Sequence, residues 1–281
     1  LIQLSTSVWG ARRKIKTEQI SNMAAANEWL STQKKLIDPC ALKPIQKVAN
    51  AARGYLSGVS LPFPINGMVF VPKEMISKVD DQLRIFQLDF DNKVADFMDR
   101  YERLRETAMV YLGDLFNETD YPVDIAGKFS FAWRFINLDV PNGRTGVLSP
   151  EVYEREKQKF VQTMEDAREL AVMSLREEFS GMIQRITDRF TNGDNTKPKV
   201  FKNGTINNFY AFFETFKARN IFGDKELAEL VERARAVLGG QNATTIRSND
   251  EMKEQIRDGM AEVENAMDDM LSRPRRRIIM N

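Results

Sequence analysis

Residues 78–112, KVDDQLRIFQLDFDNKVADFMDRYERLRETAMVYL, decide the fold. Their apolar positions fall at Val79, Leu83, Phe86, Phe90, Val94, Phe97, Tyr101, Leu104, Ala108 and Tyr111, three or four residues apart throughout. That spacing lays one apolar stripe along a helix and predicts a continuous amphipathic helix over Lys73–Leu112. The successive four-residue steps Phe86, Phe90, Val94 act as a stutter that relaxes supercoiling locally. A second stretch, Pro150–Thr191, carries a stripe of its own at Phe160, Met164, Ala167, Ala171, Leu175, Phe179, Met182, Ile186 and Phe190. Its mean step of about 3.75 residues is too long for a regular heptad and predicts a nearly straight helix. Ser149 is placed to cap it, with Pro150 in the first turn and Glu151 at the positive end of the dipole.

Two matched helices of about 60 Å each predict a long antiparallel, coiled-coil-like hairpin. One uninterrupted coiled coil is excluded by Tyr121-Pro122 and Val140-Pro141-Asn142-Gly143, which break any helix between them. Outward from this hairpin, the chain reads as mainly α with small β elements. Residues 1–72 are expected to form a helical base, with helices over Ser5–Ile20, Ser21–Lys35 and Leu42–Leu56, the last carrying Ile45, Val48, Ala52 and Leu56 on one stripe. Val59–Phe63 and Met68–Val71 flank Asn66-Gly67 and predict a small β-hairpin, whose first strand is kept at an edge by Pro62 and Pro64. Residues 73–191 form the hairpin, with a tip insertion at 113–148. In that tip Phe129, Phe131, Trp133 and Phe135 alternate strictly and share one face of a strand. Residues 192–238 form a helical C-terminal part, with helices at Thr205–Ala218 and Asp224–Leu238. Residues 239–248 have linker composition. Residues 249–281 form an amphipathic docking helix followed by a basic tail.

The chemistry-bearing residues are sparse. There is no histidine, which removes the commonest general base, the Ser-His and Cys-His nucleophile pairs and every His-bearing metal site. The lone Cys40 forms no intrachain disulfide, cannot build a thiolate zinc site, fits a reducing compartment and is expected in the core. Gly10-Ala11-Arg12-Arg13-Lys14 lacks the second glycine and the hydroxyl of a phosphate-binding loop. Asp89-Phe90-Asp91-Asn92 lacks the turn glycine of a calcium loop and lies within the helical pattern. Asp96 with Asp99, and Glu177 with Glu178, read as solvated helix faces. The expectation is a non-enzyme with no cofactor and no metal; a carboxylate-only magnesium enzyme is the weakest alternative. No apolar run is long enough to span a membrane, and none resembles a signal peptide. A cytoplasmic protein with no membrane partner is expected, and the start at Leu1 leads us to expect preceding residues.

The global charge is nearly balanced, with 41 Lys plus Arg against 40 Asp plus Glu, so any polyanion contact must be local. The candidates are Arg12, Arg13, Lys14 and Lys16, and the tail residues Arg273, Arg275, Arg276 and Arg277. Each long helix carries seven basic against nine acidic residues and would not grip a phosphate backbone. The tail has a nearer use: it follows a helix with eight acids against Lys253 and Arg257, where cations complement the C-terminal dipole. That last helix carries Met252, Ile256, Met260, Val263, Met267 and Met270 along one stripe, a composition suited either to adaptable partner docking or to its own chain's core.

Ala52-Arg53-Gly54-Tyr55-Leu56, the hairpin closing at Val69-Phe70-Val71-Pro72, the helix bearing Phe97 and Tyr101, and Phe129-Ser130-Phe131-Ala132-Trp133 with Leu138, Val140 and Pro141 together resemble a phage and mobile-element family. This is domain-of-unknown-function family 3150, and the resemblance spans Leu1–Phe190. It implies a setting beside MoxR-type AAA+ ATPases, sometimes with von Willebrand A-type proteins, and supplies no functional residues. The expected function is therefore a non-enzymatic assembly or adaptor component of a phage or mobile-element complex. It would act by self-association into a homo-oligomer or by docking to a protein partner such as an AAA+ ATPase. The alternative is a nucleic-acid-binding protein using the N-terminal basic segment and the C-terminal arginine cluster.

Overall fold

The computed structural model describes residues 1–15, 33–138, 149–190 and 203–273. In chain order the elements are strands β1 (Ile2–Ser7), β2 (Arg12–Lys14) and β3 (Gln33–Lys35), helix α1 (Lys43–Val59), strands β4 (Leu61–Pro62) and β5 (Met68–Phe70), helices α2 (Ile76–Met98) and α3 (Tyr101–Leu112), and strand β6 (Ser130–Phe135). Helices α4 (Pro150–Phe190), α5 (Asn203–Arg219), α6 (Lys225–Leu238), α7 (Ala243–Ser248) and α8 (Asp250–Ser272) follow among the described residues. The protein is thus mainly helical with a small antiparallel β component. The elements divide into a first unit, Ile2–Ser57 with Ile76–Ile136, and a second unit, Gly58–Met75 with Asn137–Asn281 and Leu1.

In the first unit β1 and β6 pair antiparallel, from Ile2 opposite Phe135 to Ser7 opposite Ser130. The alternating aromatics of β6 then meet the stripe of α2. Phe131 lies 5.5 Å from Phe90 and Phe129 5.3 Å from Phe97, centroid to centroid. The Trp133 indole donates to Asp80 Oδ1 at 2.8 Å, and Gln87 Nε2 donates to the Phe131 carbonyl at 3.1 Å. The aromatic strand expected at a hairpin tip is therefore a core strand of this unit. Its rings cover the α2 seam, where Val79, Leu83, Phe90 and Phe97 are buried. The second half of α1 lies on the same helix through Tyr55, whose ring is 6.0 Å from that of Phe86. As the stripe predicts, Ile45, Val48, Ala52 and Leu56 of α1 are buried.

Three expectations for this unit are corrected. Of the helices expected over Ser5–Ile20 and Ser21–Lys35, residues 16–32 lie outside the described residues, while the described ends form the last part of β1, β2 and β3, β1 because Ile2, Leu4 and Thr6 alternate against a partner far along the chain. The helix expected over Lys73–Leu112 begins at Ile76 and is interrupted after Met98, where Arg100 N bonds to the Phe97 carbonyl at 3.1 Å in a tighter turn. Its stripe ends at Ala108, since Tyr111 is 86% exposed. Cys40 is exposed rather than buried, because it sits in the short 3₁₀ turn opened by Asp38, whose carboxylate accepts from Cys40 N at 2.8 Å.

In the second unit the predicted hairpin forms with Leu61 opposite Phe70 and Pro62 opposite Val69. Gly67 supplies φ 81° at the third turn position while Asn66 stays outside the left-handed region, so the turn is not the I′ type that Asn-Gly favours in two-residue hairpins. Helix α4 starts at Pro150 as predicted, with Val152 N directed at Ser149 Oγ at 3.4 Å. Its stripe residues Ala171, Leu175, Phe179, Met182 and Ile186 join one core with α5, α6, α7 and α8, in which the Phe179 and Phe212 rings stack at 5.5 Å.

The segment expected to be a linker over residues 239–248 closes α6 and opens the next turn. Gly239 adopts φ 54° as the C-cap of α6, and Asn242 caps α7 by accepting from Thr245 N at 2.9 Å. Ile246 is then fully buried, which ties this segment into the core. The stripe of α8 is inside as well: Ile256, Met260, Val263, Met267 and Met270 are all 5% exposed or less. At roughly 1.5–3 kcal/mol for each fully buried large apolar side chain, these five fix α8 onto α4 and α6 rather than leaving it free to dock elsewhere.

Candidate functional surfaces

The most deeply buried ion-paired side chain among the described residues of the second unit is Arg219. Arg219 continues the α5 stripe of Phe209, Phe212 and Phe216 by one further step, and its side chain is 2% exposed. Its guanidinium donates bidentately to Glu178, at 3.2 Å to Oε1 and 2.5 Å to Oε2, and from Nε to the Ser60 carbonyl at 3.2 Å. The Phe212 ring lies 5.9 Å below it. Glu178, expected on a solvated face, is thus the counter-ion of a buried arginine, although its own side chain is 37% exposed. Near it Arg176 Nε donates to Asp224 Oδ2 at 2.7 Å, while Asp224 Oδ1 caps α6 through Leu227 N. These groups are consumed by the fold: the carboxylate oxygens of Glu178 and Asp224 and the guanidinium groups of Arg176 and Arg219 each have a protein partner.

The first unit carries two polar features. One is an open groove of about 440 Å³ lined by Thr6, Ser7, Val8, Gln46, Ala49, Asn50 and Arg53. Arg53 bonds there to the Thr6 hydroxyl and to Asn50 Oδ1, so the groove is held together by its own residues. The other is the ribbon of β2 and β3, which pairs Arg12 with Lys35, Arg13 with Lys34 and Lys14 with Gln33. The basic segment at 12–14 is thereby joined by two lysines from a stretch expected to be helical. Asp120 lies against one face of the ribbon, 2.6 Å from Lys34 Nζ and 3.4 Å from Arg13 Nε.

The remaining sequence-predicted residues fall as follows. Phe131 is buried, Phe129 and Trp133 are half-buried and Phe135 is exposed, so the aromatic row is core at its centre and opens to solvent at Phe135. The docking expectation for Ile256, Met260, Val263, Met267 and Met270 is corrected by their burial, and Met252 is half-buried. Arg273 reaches Glu226 Oε1 at 3.4 Å with a largely exposed side chain. Lys16, Arg275, Arg276 and Arg277 lie outside the described residues. Among the described residues no group of His, Cys, Asp or Glu is arranged to hold a metal ion, and no helix is long and apolar enough to cross a membrane.

The carboxyl of Asp80 is held below its ordinary value, chiefly by the Trp133 indole bond and then by Arg84, while burial raises the phenols of Tyr55, Tyr101 and Tyr121. Both effects follow from contacts within the first unit.

Fold and surfaces together define a mainly helical protein with a minor antiparallel β component and ion pairs that serve its own packing. The chain belongs to the family described as protein of unknown function (DUF3150), whose model matches residues 1–191. The match closes at the end of α4, so α5 to α8 lie beyond it. No curated protein and no solved structure matches the chain.

Proposed function

We propose that the protein is a non-enzymatic assembly or adaptor component that acts by self-association or by docking onto a larger machine, such as an AAA+ ATPase of a phage or mobile element. The observation that carries this reading is the set of large apolar side chains left exposed on the helices of the first unit. Ile85 and Leu88 of α2 are 60% and 65% exposed, and the consecutive Met109, Val110 and Tyr111 of α3 are 51%, 77% and 86% exposed. Single exposed apolar residues are ordinary, but a run of three consecutive ones near the end of a helix favours contact with a partner.

The buried α8 stripe moves the expected contact surface away from the last helix and onto α2 and α3. The test is the solution mass of the full chain by size-exclusion light scattering, with and without Leu88→Asp and Tyr111→Asp. A parent oligomer that the double variant converts to monomer supports self-association. A monomeric parent that retains an AAA+ partner, and loses it in the double variant, supports docking. A monomeric parent with no partner dependent on these positions refutes the proposal.

A further inference from the structure

The β2–β3 ribbon sets like charges directly opposite each other, Arg12 against Lys35 and Arg13 against Lys34, an arrangement that destabilises an antiparallel pair. On one face the fold compensates this: Arg13 and Lys34 share Asp120, and the Lys34 side chain, only 10% exposed, also donates to the Leu115 carbonyl at 2.5 Å. On the other face strand alternation places Arg12 and Lys14 together with Lys35 and Gln33 across the ribbon. All four are exposed, and no ion pair involves Arg12, Lys14 or Lys35 among the described residues. Among the described residues nothing in the first unit compensates these three cations, which share one face of the ribbon.

The ribbon is also held in place. Leu36 N bonds to the Ala11 carbonyl at 2.9 Å and extends the pairing, while the Tyr121 hydroxyl donates to the Leu36 carbonyl at 2.7 Å. Trp9, just before the ribbon, lies 6.0 Å from the Tyr101 ring and 6.5 Å from the Tyr121 ring. The cations are therefore presented on an anchored backbone rather than on a free tail.

We propose that the outer face of this ribbon, Arg12, Lys14 and Lys35 with Gln33, binds the phosphate backbone of double-stranded nucleic acid. A two-stranded ribbon fits the width of a duplex groove, and cations at strand spacing meet a row of phosphates. Among the described residues this face carries no aromatic side chain on which unpaired bases could stack, which disfavours a single strand, and no apolar side chain to hold a peptide. Binding is electrostatic and indifferent to sequence. It is independent of the assembly reading, which concerns apolar side chains on α2 and α3.

The test measures binding of the full chain to a mixed-sequence DNA duplex, to oligo-dT and to phosphatidylserine-containing vesicles across a salt series. Three phosphate contacts correspond to a slope of log affinity against log salt of about −2.7 on duplex, or about a 40-fold loss between about 50 and 200 mM salt. The variant Arg12→Gln/Lys14→Gln/Lys35→Gln, folded by circular dichroism as expected of exposed positions, should lose that increment of slope. The variant Arg12→Lys/Lys14→Arg/Lys35→Arg should keep it. An unchanged slope in the glutamine variant overturns the proposal, as does the absence of duplex binding, tighter binding to oligo-dT, or binding to the vesicles alone.

Discussion

Replacing Glu178 by alanine is expected to cost more stability than replacing its partner Arg219 by methionine, although both remove the same ion pair. In Glu178→Ala the guanidinium remains, 2% exposed and permanently charged, with only the Ser60 carbonyl and the Phe212 ring for company. Removing one partner of a buried pair and stranding the other costs about 3–5 kcal/mol. In Arg219→Met the cavity is refilled and the stranded group is a carboxylate already 37% exposed, which water can solvate. The loss is then limited to the net value of the charge-assisted bonds, about 1–2 kcal/mol once solvent screening is allowed for. The double variant should resemble Arg219→Met. The assay is urea unfolding followed by helical circular dichroism; the tryptophans Trp9, Trp29 and Trp133 lie outside the sequence ranges of this unit, so their fluorescence reports elsewhere. With a slope of about 1–3 kcal/mol per molar urea, the two single variants should differ by roughly 1 M in midpoint. Equal midpoints, or the reverse order, would refute the reasoning, because Arg219 would then be no more desolvated than Glu178.

The buried methionines of α8 supply a second prediction: Met260→Ala and Met267→Ala, each at a position with no exposure, should each cost about 2–5 kcal/mol in the same urea assay, whereas a solvent-facing docking stripe would lose under about 0.5 kcal/mol. Asp80 is depressed by the Trp133 indole and by Arg84, so its contribution to stability is fully present above the ordinary carboxyl value of 3.8 and is lost as pH falls through its lower folded value. Trp133→Phe should move the Asp80 titration, read by carboxyl NMR, upward toward that ordinary value; an unmoved titration would remove the indole as the cause. The Tyr101 hydroxyl is buried without a hydrogen-bond partner among the described residues, so Tyr101→Phe should be neutral or stabilising by thermal unfolding, and a loss above about 1 kcal/mol would reveal a bond to that oxygen.

Periodicity in the sequence identifies which side of each helix is buried but not what buries it. The stripes at Val79, Leu83, Phe90 and Phe97, and at Ala171, Leu175, Phe179 and Ile186, are legible because three- and four-residue steps are a local property. Their covers are not local. The first stripe is met by Phe129 and Phe131, on a strand paired with residues at the other end of this unit's sequence, and the second by helices that follow it. Two long stripes of equal length invite the inference that each covers the other; in the structure each has a cover within its own unit.

β1 escaped detection because Ile2, Leu4 and Thr6 alternate over too few residues to outweigh the helical spacing downstream. The β2–β3 ribbon escaped because charged strands carry no apolar period at all. Arg219 did leave a signal, since it falls three residues after Phe216 on the α5 stripe, and a charge in register with Phe209, Phe212 and Phe216 calls for a counter-ion. The methionine stripe of α8 was legible as a stripe, while its use as core depended on Gly239, Asn242 and Ile246 turning the chain back, and glycine-rich composition alone reads as a linker.

The most direct measurement of the central claim, that the apolar stripe of α8 is core of its own unit, is the ε-methyl spectrum of ¹³C-methionine-labelled protein with a soluble paramagnetic relaxation agent. The account predicts that Met260, Met267 and Met270, together with Met182 of α4, keep sharp signals through the titration. Broadening of the three α8 methyls at the rate of surface methyls would contradict it and return the last helix to the role of an exposed docking element.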